Sequence, residues 1–353
     1  MPNWSETMQQ TFEYYTVDPN TWHDKEKMSN VKSCSITRDS SLDTLGNASF
    51  EITGSITEDT YIRPYLVTYQ NFIRERFPLG TYLAQSPSES IDGKVMSSSI
   101  DAYTPLIELT EKKPPLGYSI FKDTPIMELA YDICSEKMRA PVVKADSTKK
   151  LYSDFVSNTN DTWLTFLKDL IANDKQNFGF DELNRVIFEP TQDLSSLQPK
   201  WTYDTGNSSI LYPDASVEHD MFDIPNVVYV VYSSANLYFT AVAKNIDPNS
   251  PTSILSRGRE IEYWDTNPSV LGNATEEMIT QYASDLLKAK STVQYKVTYD
   301  HGYCPVRLGD CVRIDYPKLG LNGVKAKVTS QTIDCGTGCK VSETAVYTKR
   351  YWG

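Results

Sequence analysis

Histidine is almost missing from this sequence, with three in 353 residues. Histidine is the side chain most often used as a general base near neutral pH, so its scarcity thins the catalytic choices at once. His23 and His219 lie in the polar, acid-flanked stretches Trp22-His23-Asp24 and Glu218-His219-Asp220 and read as surface residues. His301 precedes Cys304, but on an extended segment a three-residue spacing points side chains to opposite faces, so a Cys/His dyad is not expected. Positive charge is also short. The 34 Lys and Arg face 46 Asp and Glu, for a net charge of −12. That excludes a surface built to grip phosphates, although a channel that nucleic acid passes without sticking remains compatible with it.

Long apolar runs are absent. The strongest, Val227 to Tyr232, is far too short to span a bilayer. The first residues, Met1-Pro2-Asn3-Trp4-Ser5-Glu6, have neither the basic start nor the apolar stretch of a secretory signal. Six cysteines in a chain of this length do not make a disulfide scaffold, so assembly in a reducing cytoplasm is expected. Cys304, Cys311, Cys335 and Cys339 are the one candidate metal set, a Cys₄ zinc site. Their spacings are not those of paired two-residue knuckles, and buried free thiols are the favoured reading. Gly320-Leu321-Asn322-Gly323 and Gly336-Thr337-Gly338 lack the strand–loop–helix setting of a phosphate loop and read as hairpin turns. Pairs such as Asp181-Glu182 could serve a glycosidase, but 46 acidic residues give no reason to choose one. No catalytic, cofactor-binding or metal-binding residue is therefore assigned, and no cofactor is expected.

What is abundant is tyrosine: 23 Tyr against 12 Phe and 6 Trp. Tyrosine suits half-buried sheets and wet interfaces. The chain also repeats itself. Lys94-Val95-Met96-Ser97-Ser98-Ser99-Ile100-Asp101 and Lys327-Val328-Thr329-Ser330-Gln331-Thr332-Ile333-Asp334 match at five of eight positions. Each follows a Leu-Gly pair, Leu79-Gly80 and Leu308-Gly309, with a strand-like stretch and a proline between. One β module used twice is the reading, and the octapeptides should be equivalent strands.

The first 110 or so residues read as short strands: Phe50 to Ile56, Tyr61 to Thr68, Phe72 to Phe77 and Thr81 to Gln85, broken by Pro64, Pro78 and Pro87. Pro114-Pro115-Leu116-Gly117 marks a boundary. Beyond it, Ile126, Leu129, Ala130 and Ile133 keep helical spacing between Pro125 and Pro141, and Leu164, Leu167, Leu170 and Ile171 do so after Asp161-Thr162. Arg185 to Phe188 reads as a short strand and Val227 to Tyr232 as a buried one. A third helix is expected from Asn273, capped with Glu276 and carrying Ile279, Tyr282, Ala283 and Leu286. Val293 to Val297 and Val341 to Tyr347 return to strand. The fold class expected is α+β, mostly β: two similar antiparallel β-barrel domains with α+β insertions. Residues 1–112 form the first barrel, 113–200 and 233–296 the insertion regions, and 201–232 with 297–353 the second, split barrel.

Three segments carry a resemblance: Trp4-Ser5-Glu6 to Val17-Asp18; Gly258-Arg259-Glu260-Ile261-Glu262 leading into Glu276 to Lys288; and Val306 to Ile314 with Lys327 to Ala345. In them the chain resembles the baseplate hub and tail-associated proteins at the tip of tailed bacteriophages and related contractile injection machines. The resemblance implies a structural, non-enzymatic virion protein of the tail tip, assembled in the host bacterial cytoplasm. It implies a homotrimer whose six barrels make a pseudo-sixfold ring, matching a hexameric tail tube to a threefold spike or fibre. Tail-tube ring proteins above and a spike, fibre or lysin protein below are the implied partners. Tape-measure protein and DNA would pass through the lumen during genome ejection, without specific binding and without stable membrane insertion. The chain ends at Tyr351-Trp352-Gly353, so cell-wall cleavage or receptor binding is expected of a partner. Two alternatives come from other classes: a tail-tip cell-wall hydrolase, either endopeptidase or glycosidase, and a carbohydrate-binding adhesin module suggested by the Tyr and Trp content.

Overall fold

The computed structural model describes residues 2–57, 59–233, 237–268 and 274–352. The chain divides into two compact units, one of residues 1–215 with 299–344 and the other of 216–298 with 345–353.

Eight strands come first: β1 (Gln9–Val17), β2 (Asp24–Met28), β3 (Val31–Asp39), β4 (Gly46–Thr53), β5 (Tyr61–Gln70), β6 (Ile73–Pro78), β7 (Tyr82–Asp92) and β8 (Val95–Tyr103). In β4 the alternation expected of a half-buried strand is complete, with Ala48, Phe50 and Ile52 buried and Glu51 and Thr53 exposed. Pro64 and Pro87 do not break their strands. Pro64 pairs with Tyr14 of β1, and its other edge faces the corner where β7 stops pairing at Ile62 and β6 starts at Tyr65. No strand there asks for the missing N–H, and the Pro64 carbonyl on that edge accepts from Leu79 N at 3.0 Å. Pro87 follows a bulge between Ala84 and Ser86, on a stretch of β7 that pairs with β8 while the pairing of β7 with β5 is confined to Tyr82 and Leu83.

Next come α1 (Ile107–Thr110), β9 (Ser119–Ile120), α2 (Ile126–Lys137), β10 (Phe155–Val156), α3 (Trp163–Ala172) and the hairpin β11 (Gln176–Phe180) to β12 (Val186–Pro190). Helix α3 starts where Thr162 and Thr165 cap one another. It buries Leu164, Phe166, Leu167, Leu170 and Ile171. The insertion does not keep this core to itself. The same cluster contains Val17, Trp22, Tyr61 and Leu83 from the β module. The Trp22 indole also donates to the Leu183 carbonyl at 3.0 Å, and Thr81 Oγ1 donates to the same oxygen at 2.8 Å.

The remaining elements are β13 (Trp201–Tyr203), β14 (Leu211–His219), β15 (Val227–Ser233), β16 (Tyr238–Lys244), α4 (Ile254–Arg257), β17 (Glu262–Asp265), α5 (Glu276–Lys290), β18 (Thr292–Gly302), β19 (Cys311–Tyr316), β20 (Leu321–Asp334) and β21 (Lys340–Arg350). In the first unit the hydrogen-bonded order runs β20-β3-β4-β8-β7-β5-β1-β2, with β19 on the other edge of β20, β6 on β5 and β13 parallel to β19. In the second unit β16-β15-β17 form a three-stranded sheet. Val228, Val230 and Ala241 of that sheet pack on Ile279, Ala283 and Leu287 of α5. Helix α5 is capped by Thr275, whose hydroxyl accepts from Met278 N. Asn273, the expected cap, lies outside the described residues. The protein is mostly β with large antiparallel sheets, as its sequence indicates. Among the described residues no helix is long and apolar enough to cross a membrane.

Candidate functional site

The two octapeptides fall on β8 and β20, the second strands of the hairpins β7–β8 and β19–β20. Strand β8 pairs with β4 through Ile100↔Phe50, and β20 pairs with β3 through Ile333↔Ile36, all antiparallel. The copies therefore flank the β3–β4 hairpin and run in opposite directions, related by a local twofold through its centre. Their burial matches: Ser98 and Ile100 point inward as Gln331 and Ile333 do, while Ser99 and Asp101 face out as Thr332 and Asp334 do. The preceding glycines share a positive φ, +122° at Gly80 and +88° at Gly309, a turn that a side chain would strain. The copies part at their first residues. Val95 opens β8 and is exposed, whereas β20 begins seven residues before the matching Val328, which is already inside the strand and buried.

The outer face around the first copy is built of hydroxyls. Ser33, Glu51, Ser99 and Ser88 form one cross-strand row over β3, β4, β8 and β7. With Ser97 and Ser90 they line a shallow groove of about 340 Å³. Lys32 Nζ lies 2.7 Å from Ser97 Oγ and 3.8 Å from Glu51. Both partners are in solvent, and the ammonium donates to the serine, so the pair is a surface hydrogen bond and not a base on a nucleophile.

Beneath the second copy lies the most polar part of the core. His301 and Glu343 are fully buried, with imidazole Nε2 3.5 Å from the carboxylate. His301 Nδ1 lies 2.7 Å from the Gly302 carbonyl. Both ring nitrogens thus face acceptors, which suits an imidazolium. Burial would lower the His301 pKa, but its contacts with Cys304 and Glu343 outweigh that and raise it to about 10. Glu343 also accepts from Tyr299 Oη at 2.5 Å and from Gln331 Nε2 at 2.5 Å. Gln331 Nε2 donates to Val306 O at 3.1 Å, and its Oε1 accepts from Arg38, whose guanidinium also reaches Leu79 O. Tyr203 Oη closes the cluster, 3.2 Å from His301 Nε2 and 3.3 Å from Cys304 Sγ; burial, then the Glu343 charge, drives its pKa well above the usual phenol value.

His301 and Cys304 are therefore brought together, against the expectation from spacing. Strand β18 ends at Gly302, so strict alternation no longer governs Cys304. The group is nonetheless sealed, and it lacks the access a substrate needs. Its charge has a consequence for stability. A pKa of about 10 when folded, against about 6.5 when unfolded, stabilises the fold fully below pH 6.5, and the benefit is lost as pH rises through 10. Between pH 7 and 8.5 the unfolding free energy should fall by up to about 1.4 kcal/mol per pH unit from this group, and the melting temperature should fall with it. Calorimetry across that window checks it, and a flat or rising profile would contradict the buried imidazolium.

The four thiols considered as zinc ligands do not converge on one point. Cys304 sits by Tyr203. Cys311 Sγ is 3.9 Å from the Val312 carbonyl. Cys335 donates its backbone N–H to Cys34 O at 3.0 Å, and a thiol hydrogen bond to Cys34, together with burial, holds its pKa well above the usual thiol value. Cys339 stands at the turn into β21 with φ +41°, its pKa raised by burial and by Cys335. Cys34, which sequence spacing does not point to, is thus the neighbour of Cys335. Among the described residues no group of three or more His, Cys, Asp or Glu is placed to hold a metal ion. Asp181 is occupied with Leu183 N, Arg185 N and the Arg185 guanidinium, and Glu182 pairs with Arg307, so this carboxylate pair has structural partners. His23 and His219 are exposed, and His219 stacks on Tyr295 in the second unit.

No family model and no curated protein matches the chain. Solved structures do. A tail protein from Neisseria meningitidis MC58 superposes with a TM-score of 0.64 at 11% identity, covering 96% of this chain and 97% of that one. The 43 kDa tail protein of prophage MuSo2 from Shewanella oneidensis gives 0.61 at 12% identity, over 95% and 98%. A chain of the Francisella PdpA-VgrG complex gives 0.59 at 10% identity, over 98% of this chain and 58% of that one. The chain has the fold of these tail proteins and of the PdpA-VgrG complex chain.

Proposed function

We propose that this chain is a structural protein of a phage tail tip, a baseplate hub that assembles as a trimer and presents six similar β surfaces around a lumen. The observation that carries the reading is the pair of matching hairpins set on either side of β3–β4. Six equivalent tube subunits cannot each meet a trimer unless every protomer offers two like surfaces, and an internal duplication supplies them. In this reading residues 1–112 are one barrel, 201–232 with 297–353 the other, and the segments 113–200 and 233–296 decorate the ring. Tail-tube proteins bind above, a spike, fibre or lysin protein binds below, and tape-measure protein and DNA pass through. The net charge of −12 suits a lumen that repels phosphate. The hub is not an enzyme in this reading. Its one His–Glu–Tyr–Cys cluster among the described residues is sealed in the core, and the serine groove holds no histidine. Light scattering on the purified chain tests the assembly: the expected mass is three times 40.0 kDa. A strict monomer at high concentration would overturn the hub.

A further inference from the structure

Two of the six cysteines face each other across neighbouring strands. The register of β3 with β20 ends at Ser35↔Asp334, and one step further Cys34 stands opposite Cys335. The Cys335 N–H donates to the Cys34 carbonyl at 3.0 Å, so the two backbones are held together at this point. Both side chains lie on the inward face that carries Ile36 and Ile333, with Cys34 3% and Cys335 7% exposed. Their thiols are hydrogen-bonded to one another, and that bond, ahead of burial, is the main cause of the raised Cys335 pKa. A hydrogen-bonded antiparallel pair sets its Cα atoms about 5.5 Å apart, inside the roughly 4.4–6.8 Å that a disulfide spans. The other thiols are placed differently: Cys134 is buried on α2, Cys304 lies by Tyr203, and Cys311 lies by the Val312 carbonyl. Cys339 stands across the turn from Cys335, where its N–H donates to the Gly336 carbonyl at 3.1 Å.

We infer that Cys34 and Cys335 are an oxidation site, a thiol pair that closes to a disulfide when the protein meets a small disulfide such as oxidised glutathione. One cysteine thiol gives up its proton, and the thiolate attacks a sulfur of the small disulfide. That S–S bond breaks, a mixed disulfide forms on the protein, and one glutathione leaves as a thiolate. The second cysteine gives up its proton and attacks the protein sulfur of the mixed disulfide, expelling the second glutathione. The two leaving thiolates take up two protons; the cysteines lose two electrons and the small disulfide gains them. Entry is at Cys335, the more exposed of the two, which follows the last residue of β20 and is freed by opening the turn towards Cys339 without unzipping the ladder. Burial keeps both sulfurs from reacting quickly. The pair therefore stays reduced in a reducing compartment and closes slowly in an oxidising one. Once formed, the bond fixes the end of β20 to β3 and ties the chain into one loop from residue 34 to residue 335. So long a loop removes much freedom from the unfolded chain.

Peptide mapping of the full chain tests the assignment. The folded protein is held with reduced or with oxidised glutathione, with and without urea below its unfolding midpoint, then alkylated and cut with trypsin. The expected product of oxidation is Ser33–Arg38 joined to Val328–Lys340. Cys335 and Cys339 share the second peptide, so fragmentation between them must place the bond on Cys335. Two of the six thiols should be lost to titration in denaturant. The melting temperature should rise by roughly 5 °C and return on reduction. C34A and C335A should abolish the rise, and C339A should keep it. Mapping the unsubstituted chain decides the matter even if a variant fails to fold. No cross-link under either condition, a bond between Cys335 and Cys339, a bond to any other cysteine, or a bond that forms with no gain in melting temperature would overturn the proposal.

Discussion

Replacing Glu343 by alanine is expected to lower the stability of the first unit by about 3–5 kcal/mol. The carboxylate is fully buried and serves His301, Tyr299 and Gln331 together. Its removal leaves a buried cation with no counter-charge and a phenol and an amide each without an acceptor, and an orphaned buried group costs more than the bond it made. Glu343→Gln should be milder, since the amide oxygen can still accept from Tyr299, and it should also flatten the pH dependence between 7 and 8.5. Urea titration followed by tyrosine and tryptophan fluorescence reads both. A loss below about 1 kcal/mol for the alanine variant would mean that the cluster is neutral and weakly coupled.

Phe166→Ala is expected to cost a similar amount, about 3–5 kcal/mol. The ring has no exposure and meets Tyr118, Trp163 and Phe155 at centroid distances of 5.4, 5.8 and 5.2 Å. Neighbours held from α2, β10 and the β module cannot all collapse into the void. The core around Phe166 is shared with Val17, Tyr61 and Leu83, so the loss should appear across the unit and not in the insertion alone. Limited proteolysis distinguishes the two. Cleavage confined to residues 113–200, with the strands intact, would show that the insertion melts by itself.

How much of this could be read from the sequence depended on how local the governing interactions are. Helix α3 was legible because its apolar residues recur at helical spacing behind Asp161-Thr162, and Thr162 caps it through bonds within one turn. The equivalence of β8 and β20 was legible because both copies keep inward residues at the same places. Pro64 misled, because whether a strand tolerates proline depends on what lies along its edge, here a corner between β6 and β7. The His301–Glu343 cluster was not legible at all. Tyr203 lies 98 residues before His301, and His301, Gln331 and Glu343 sit on three further strands, so only strand pairing makes one site of them.

The pairing of β3 with β20 joins Asp39 to Ser330. On the ribosome β3 and β4 emerge early, but one edge of β3 must then wait until β20 has been made. At about 5–20 residues per second that interval is roughly 15–60 s. Throughout it a nascent chain would display an unsatisfied strand edge, the feature by which β proteins recruit one another wrongly. Duplicating the module around a single hairpin thus leaves β3 to wait for a partner that is among the last strands made, and the chain is most vulnerable in the interval before that partner is complete.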